Sequence, residues 1–161
     1  MKQQVSLIIE AHWVLPVVPS NKLLEHYGVV VDAETIVDIR PIAEVHSQYQ
    51  ANEVIKLNNQ ILMPGLINLH THTAMSLMRG LADGLALQPW LHNHIWPAES
   101  KLVSPDFVYD GTVLAAAEML SGGVTTCNDM YFFPASAAEA SIKMGLRVNL
   151  GLVVIEFPTQ Y

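Results

Sequence analysis

The chain has 161 residues, with 8 Lys and Arg against 15 Asp and Glu, a formal charge of -7, 51% hydrophobic residues and 14% charged ones. Disordered chains are rich in charge and poor in aliphatics, so this composition describes a folded, apolar-rich polypeptide. Cations scattered singly through an acidic chain provide no basic stripe to neutralise phosphates, which argues against nucleic acid and an anionic membrane surface as partners.

The single cysteine, Cys127, cannot form an internal disulfide, and Cys-based zinc sites need several thiolates. Any metal must therefore be held by His and carboxylates. The apolar run 5–9 is too short for a signal-peptide core, and nowhere does the chain approach the roughly 18 uncharged apolar residues of a membrane helix. These features predict a cytoplasmic protein. Charged residues usually make up about 25% of a soluble domain, so the low share here means either an unusually bland surface or one that something else covers.

In chain order, residues 1–58 read as short β segments at 5–9, 14–18, 27–32 and 35–39, punctuated by turn residues such as Pro19-Ser20-Asn21. A short helix or turn is expected at 41–49 and a further strand at 54–57. The pattern favours a small sheet or sandwich. After Asn58-Asn59 the units lengthen. An apolar run broken by Pro64-Gly65 leads through 67–69 into His70-Thr71-His72, as a buried strand would.

A helix is predicted over 104–121. Ser104 caps it, Pro105 suits its first position, Asp106 complements the dipole and Gly122-Gly123 stops it. Val108, Thr112, Ala115 and Met119 form its inward stripe. A strand at 124–130, a helix at 135–144 ended by Gly145, and a strand at 146–155 complete the pattern. Strand–helix alternation with glycines at helix ends is the signature of βαβ units and a parallel sheet. A parallel sheet needs both faces covered, so residues 59–161 read as the front part of a larger α/β domain.

His70 and His72 carry the chemistry. Side chains at i and i+2 of a strand share a face, so the two imidazoles stand side by side where one ion can meet both. They also sit at the C-terminal end of a predicted parallel strand, the edge where ligands bind in α/β folds. His92 and His94 repeat the spacing in a helical or irregular segment, where i and i+2 lie about 200° apart and cannot share an ion. That second pair is read as surface or lid structure.

The string Leu62-Met63-Pro64-Gly65-Leu66-Ile67-Asn68-Leu69-His70-Thr71-His72 resembles the amidohydrolase superfamily, whose first barrel strand carries Pro-Gly, four residues, then His-x-His. Met75-Ser76-Leu77-Met78-Arg79-Gly80, Trp90, Ile95-Trp96-Pro97-Ala98-Glu99 and Thr125 to Phe132 resemble the branch containing 5-methylthioadenosine/S-adenosylhomocysteine deaminases and triazine chlorohydrolases. The resemblance implies a (β/α)8 TIM barrel with a small β-sandwich built from both chain ends. Residues 1–58 would be the N-terminal part of that sandwich and residues 59–161 the first three barrel strands.

The resemblance further implies one Zn2+ per chain, with another divalent metal also suited to the donors, held by His70, His72, a His of strand 5 and an Asp of strand 8. The last two, and the family's proton-handling Glu and second His, are expected beyond residue 161, so no catalytic residue is assigned here. The implied reaction is hydrolytic deamination of an adenosine-type nucleoside. Metal-activated water, its pKa lowered to about 7, attacks the amino-bearing ring carbon and a carboxylate carries the proton to departing ammonia. With two protein ligands and no proton shuttle, the 161 residues alone are expected to be inactive. A homo-oligomer is implied for the parent protein.

Glu99 and Trp90 are the candidate substrate contacts. By resemblance Glu99 matches an acidic residue that accepts hydrogen bonds from ribose hydroxyls, and a carboxylate can take both donors of a diol. Trp90 can wall a pocket and contact a purine. Trp96 is assigned to structure, Met75 and Met78 to pocket or core filling, and Cys127 to a buried small hydrophobe. Arg79 is expected to pair with Asp83 or Asp129; Asp129 ends the second strand on the barrel's functional edge, where it is a candidate to support the site from behind, although Asp after a strand is also an ordinary turn residue. The alternatives are another enzyme of the same branch (a triazine hydrolase or a guanine-like or pterin deaminase), a non-catalytic barrel scaffold, or an inactive fragment. Glu99 separates the nucleoside reading from the other enzymes of the branch, because a substrate without ribose gives it nothing to bind, and the presence of both His70 and His72 argues against the scaffold, which tends to lose metal ligands.

Overall fold

The computed structural model describes residues 2–156 and 158–159. The chain divides into two compact units, 1–64 and 65–161.

The first unit is built on a four-stranded sheet of order β3-β2-β1-β4. β1 (Gln3–Val14) pairs antiparallel with β2 (Leu24–Asp32), which pairs antiparallel with β3 (Thr35–Pro41). A short helix, α1 (Ile42–Gln48), returns the chain to β4 (Tyr49–Leu62), parallel to β1. Val5, Ile8, Val30 and Val45 form one core cluster, and Ala11, Val14 and Val29 a second. The strand expected at 14–18 does not form. Valines favour extended pairing, but Pro16 and Pro19 lack the N–H a ladder needs, and β1 ends at Val14. The strand expected at 54–57 is instead the centre of the much longer β4.

The second unit contains three parallel strands of order β5-β6-β7: β5 (Leu66–Thr71), β6 (Val124–Met130) and β7 (Arg147–Gly151). Gly65 enters β5 where an added Cβ would lie 2.2 Å from Thr125 Oγ1, so the Pro-Gly approach to β6 tolerates no side chain. Residues 152–155 do not extend β7, which is shorter than the sequence predicts.

After β5 come a 3-10 helix (Thr73–Met78), then α2 (Leu87–Trp90), a single π turn (Leu91–Ile95) and α3 (Trp96–Leu102) in one helical run. α4 (Pro105–Ser121) and α5 (Pro134–Met144) follow. Ser104 Oγ accepts the Phe107 N–H at 3.1 Å, the cap the sequence predicts. Gly145, at φ +73°, ends α5 in the left-handed conformation that glycine adopts without steric cost. Val108, Thr112 and Ala115 of the α4 stripe are buried, and Ala74, Val103, Tyr131 and Ala137 complete the cluster around Val108. Among the described residues no helix is long and apolar enough to cross a membrane.

Candidate active site

β5 delivers His70 at its C-terminal end and the chain turns immediately after it, with His72 at φ −129°, ψ 75° leading into the 3-10 helix. The two imidazole rings meet edge to face with centroids 5.0 Å apart. For metal–nitrogen bonds of about 2.0–2.1 Å at a tetrahedral angle, two imidazoles sharing an ion have centroids roughly 5 Å apart. The spacing therefore fits one ion.

The second nitrogen of His72 strengthens the fit. His72 Nδ1 lies 2.6 Å from the Met130 carbonyl oxygen at the end of β6. A carbonyl only accepts, so Nδ1 carries the hydrogen and Nε2 keeps its lone pair, the tautomer a metal ligand needs.

The turn that places His72 is fixed by Asp129, which is 1% exposed. Its Oδ1 accepts the Thr73 N–H at 2.7 Å and the Thr71 hydroxyl at 2.9 Å, while Oδ2 accepts the Thr73 hydroxyl at 3.0 Å. One buried carboxylate thus holds the residues on both sides of His72. Asp129 lies within β6 and not in a turn, and its partners are threonines. Arg79 forms its bidentate pair with Glu118 of α4, and not with Asp83 or Asp129 as the sequence suggested.

His72, Trp90 and Glu99 line a single cavity of about 330 Å³, together with Met75, Met130 and Tyr131. Trp90 donates its indole N–H to the Leu81 carbonyl at 3.3 Å, which turns the ring's apolar body toward the cavity. Trp96, assigned to structure from sequence, also lines it and packs edge-on against His92, 4.3 Å between centroids. His92 and His94 sit in the π turn.

Glu99 enters from α3, and Tyr131 donates its hydroxyl to Glu99 Oε1 at 2.7 Å. Burial pushes the Glu99 carboxyl above the usual carboxylate range, while the Tyr131 hydrogen bond and the nearby His72 pull it back. Burial, followed by the hydrogen bond to Glu99, pushes the Tyr131 phenol far up, so it remains a donor across the physiological range. Sequence reasoning assigned Tyr131 no role, since a tyrosine after a strand reads equally well as core. Cys127 is 1% exposed, and burial pushes its thiol up.

The amidohydrolase family model matches residues 61–160, from the end of β4 through the cavity-lining strands. This chain belongs to the amidohydrolase family. The chain is 49% identical over 160 residues to a 5-methylthioadenosine/S-adenosylhomocysteine deaminase of Saccharophagus degradans, covering 99% of this chain and 36% of that protein. It superposes with a TM-score of 0.97 and 42% identity on an adenosine deaminase from Xanthomonas campestris with bound zinc, covering 99% of this chain and 36% of that one. A variant of atrazine chlorohydrolase from Arthrobacter aurescens, complexed with zinc and atraton, shares the fold alone, at a TM-score of 0.82 and 21% identity over 91% of this chain and 35% of that one. The chain thus spans about a third of the length of these amidohydrolases. It carries part of an α/β amidohydrolase fold.

Proposed function

We propose that the parent protein is a zinc-dependent hydrolytic deaminase of adenosine-type nucleosides, with 5-methylthioadenosine and S-adenosylhomocysteine as the substrates to test first. The observation that carries this is one cavity holding His72 and Glu99 at its polar positions among aromatic and thioether walls. The similarity to a named 5-methylthioadenosine/S-adenosylhomocysteine deaminase supports it.

His70 and His72 would hold the metal, which supplies Lewis acidity and an activated water near neutral pH. The Met130 carbonyl orients the His72 ring and keeps Nε2 unprotonated. Glu99 accepts the hydroxyls of the ribose. Tyr131 occupies Oε1, which leaves Oε2 and the remaining lone pairs to the diol. Trp90, Trp96 and Met75 wall the purine and a thioether tail and exclude water, which strengthens each polar contact inside.

The same reading takes the second unit as the opening of a (β/α)8 barrel and the first as part of a β-sandwich. Ile67 and Leu69 of β5 are 63% and 76% exposed, as strand residues awaiting covering helices are. Val18 and Ile36, 81% and 60% exposed, rim an apolar hollow on the first unit's sheet that a second sheet would cover. A small-molecule substrate, a cytoplasmic location and a homo-oligomer complete the proposal, the acidic composition arguing against nucleic-acid or membrane partners.

The test is ammonia release by the purified full-length protein from 5-methylthioadenosine, S-adenosylhomocysteine and adenosine, with metal content measured on the same sample. Turnover of at least one, with about one zinc in the barrel that His72→Ala removes, is the expected result. Zinc-loaded protein that releases ammonia from none of them would refute the assignment and point to another substrate of the branch or to a scaffold.

A further inference from the structure

We propose that His12, Glu25 and His26 form a second divalent-metal site, of the zinc class, in the first unit. The register of β1 with β2, Ala11 opposite Tyr27 and Trp13 opposite Glu25, sets His12 directly across from His26. Directly opposed residues of an antiparallel pair share a face of the sheet, with Cβ atoms roughly 5 Å apart. The two imidazoles are stacked, 4.7 Å between centroids and 27° between planes.

Glu25 should face away from His26 in a regular strand, because successive side chains alternate. His26 instead has φ +57°, a left-handed conformation uncommon outside glycine, which breaks the alternation. Glu25 Oε1 consequently reaches 3.6 Å from His12 Nε2 and 3.8 Å from His26 Nε2. One ligand atom from each of the three residues lies within 4.8 Å of the other two. Around a tetrahedral ion with bonds of about 2.0–2.2 Å, ligand atoms stand roughly 3.4 Å apart. The two Glu25 edges lie within a few tenths of an ångström of that spacing, and the two stacked imidazoles turn about χ2 to aim their in-plane lone pairs at one ion.

The other side of β1 leaves space for a fourth ligand. Its register with β4 jumps from Ala11 opposite Leu57 to Trp13 opposite Ile61, so three residues of β4 bulge past His12 alone. A small cavity of about 140 Å³ opens there, lined by His12, His26, Asn58 and Asn59 among others, with room for water or an amide oxygen. Two imidazoles and one carboxylate suit Zn2+, with Co2+ and Ni2+ as substitutes. An exposed His–Glu ion pair alone gains little from this convergence, and the histidine and glutamate side chains at 26 and 25 are 67% and 65% exposed.

The test is carried out on the full-length protein, stripped with chelator, equilibrated with micromolar Zn2+, desalted and analysed for zinc. Wild type is expected to retain one equivalent more than His12→Ala/His26→Ala. The same increment is expected when both proteins also carry His70→Ala/His72→Ala, so loss of the barrel metal and loss of this one are read separately. Glu25→Gln, an exposed isosteric change, serves as a second variant and is expected to weaken Co2+ binding at least tenfold, followed by visible absorption. Equal zinc content in wild type and the double variant, with an unaltered Co2+ titration in Glu25→Gln, would overturn the proposal.

Discussion

Tyr131 donates its hydroxyl to Glu99 Oε1 at 2.7 Å, one residue after Met130 gives its carbonyl to His72 Nδ1. Consecutive positions at the end of β6 thus orient the two polar groups of the cavity, one through a side chain and one through the backbone. A backbone carbonyl survives any substitution, whereas the phenol does not. Tyr131→Phe in the full-length protein is expected to raise the KM for a nucleoside about tenfold, since a hydrogen bond to a charged group contributes roughly 1.5–3 kcal/mol. Zinc content and kcat should stay near wild type. An unchanged KM would show that Glu99 needs no fixing, and loss of zinc would place Tyr131 in support of His72 instead.

Glu99 is a carboxyl that folding makes harder to ionise, burial being the largest cause. A group whose folded pKa is raised binds more protons in the native state, so its contribution to stability falls as pH rises from the ordinary carboxylate range through the raised value. Glu99→Gln keeps the acceptor for Tyr131 and removes the titration. Metal-stripped variant and wild type should melt alike at acidic pH, with the variant becoming relatively more stable by a few degrees as pH rises, while nucleoside binding is lost. A melting difference independent of pH would contradict the burial of this charge.

Asp129 is the most heavily used buried group among the described residues flanking His72, accepting three hydrogen bonds from Thr71 and Thr73. Asp129→Ala leaves the Thr73 N–H without its acceptor, a buried orphan costing about 1–3 kcal/mol, while the Thr71 hydroxyl keeps the Asn128 carbonyl and the Thr73 hydroxyl keeps Thr112. A loss of about 1–3 kcal/mol is expected, together with weakened zinc binding as the turn at His72 loosens. Thr73→Val removes only the hydroxyl bonds to Asp129 and Thr112 and should cost about 1–2 kcal/mol with zinc binding retained. Chemical denaturation and chelator competition on both variants separate these outcomes.

What was legible in the sequence follows from how local each cause is. α4 is written in its own ends, Ser104 and Gly122, and formed where those residues place it. The sequence pairs positions 70 and 72 by a strand's two-residue period, and their rings do meet, although β5 ends at Thr71 and His72 stands in the turn after it. The run at 14–18 misled because valine content outweighed the missing N–H groups of two prolines. The partners of Asp129 and Arg79 were hidden for a different reason. They lie tens of positions away, at Thr71, Thr73 and Glu118, and only the parallel register of β5 with β6 and the seating of α4 select them. Tyr131 finds Glu99 across 32 positions in the same way.

Gly111 lies in the middle of α4, where glycine is about 1 kcal/mol worse than alanine as a helix former. Its presence is explained by Ala74 in the 3-10 helix after His72: a Cβ on residue 111 would stand 2.5 Å from the Ala74 carbonyl oxygen and 2.8 Å from its Cα. Those are backbone atoms, so no rotamer change relieves the overlap. Overpacking typically costs about 1–3 kcal/mol, more where backbone must move, and so outweighs the gain in helix propensity. Gly111→Ala is therefore expected to lower the melting temperature of the full-length protein by several degrees. Because the displaced segment begins one residue after His72, zinc affinity should fall in the same variant, as read by competition with a chromogenic chelator. A melting temperature at or above wild type would mean that helix propensity prevails, and that α4 does not press on the segment that positions His72.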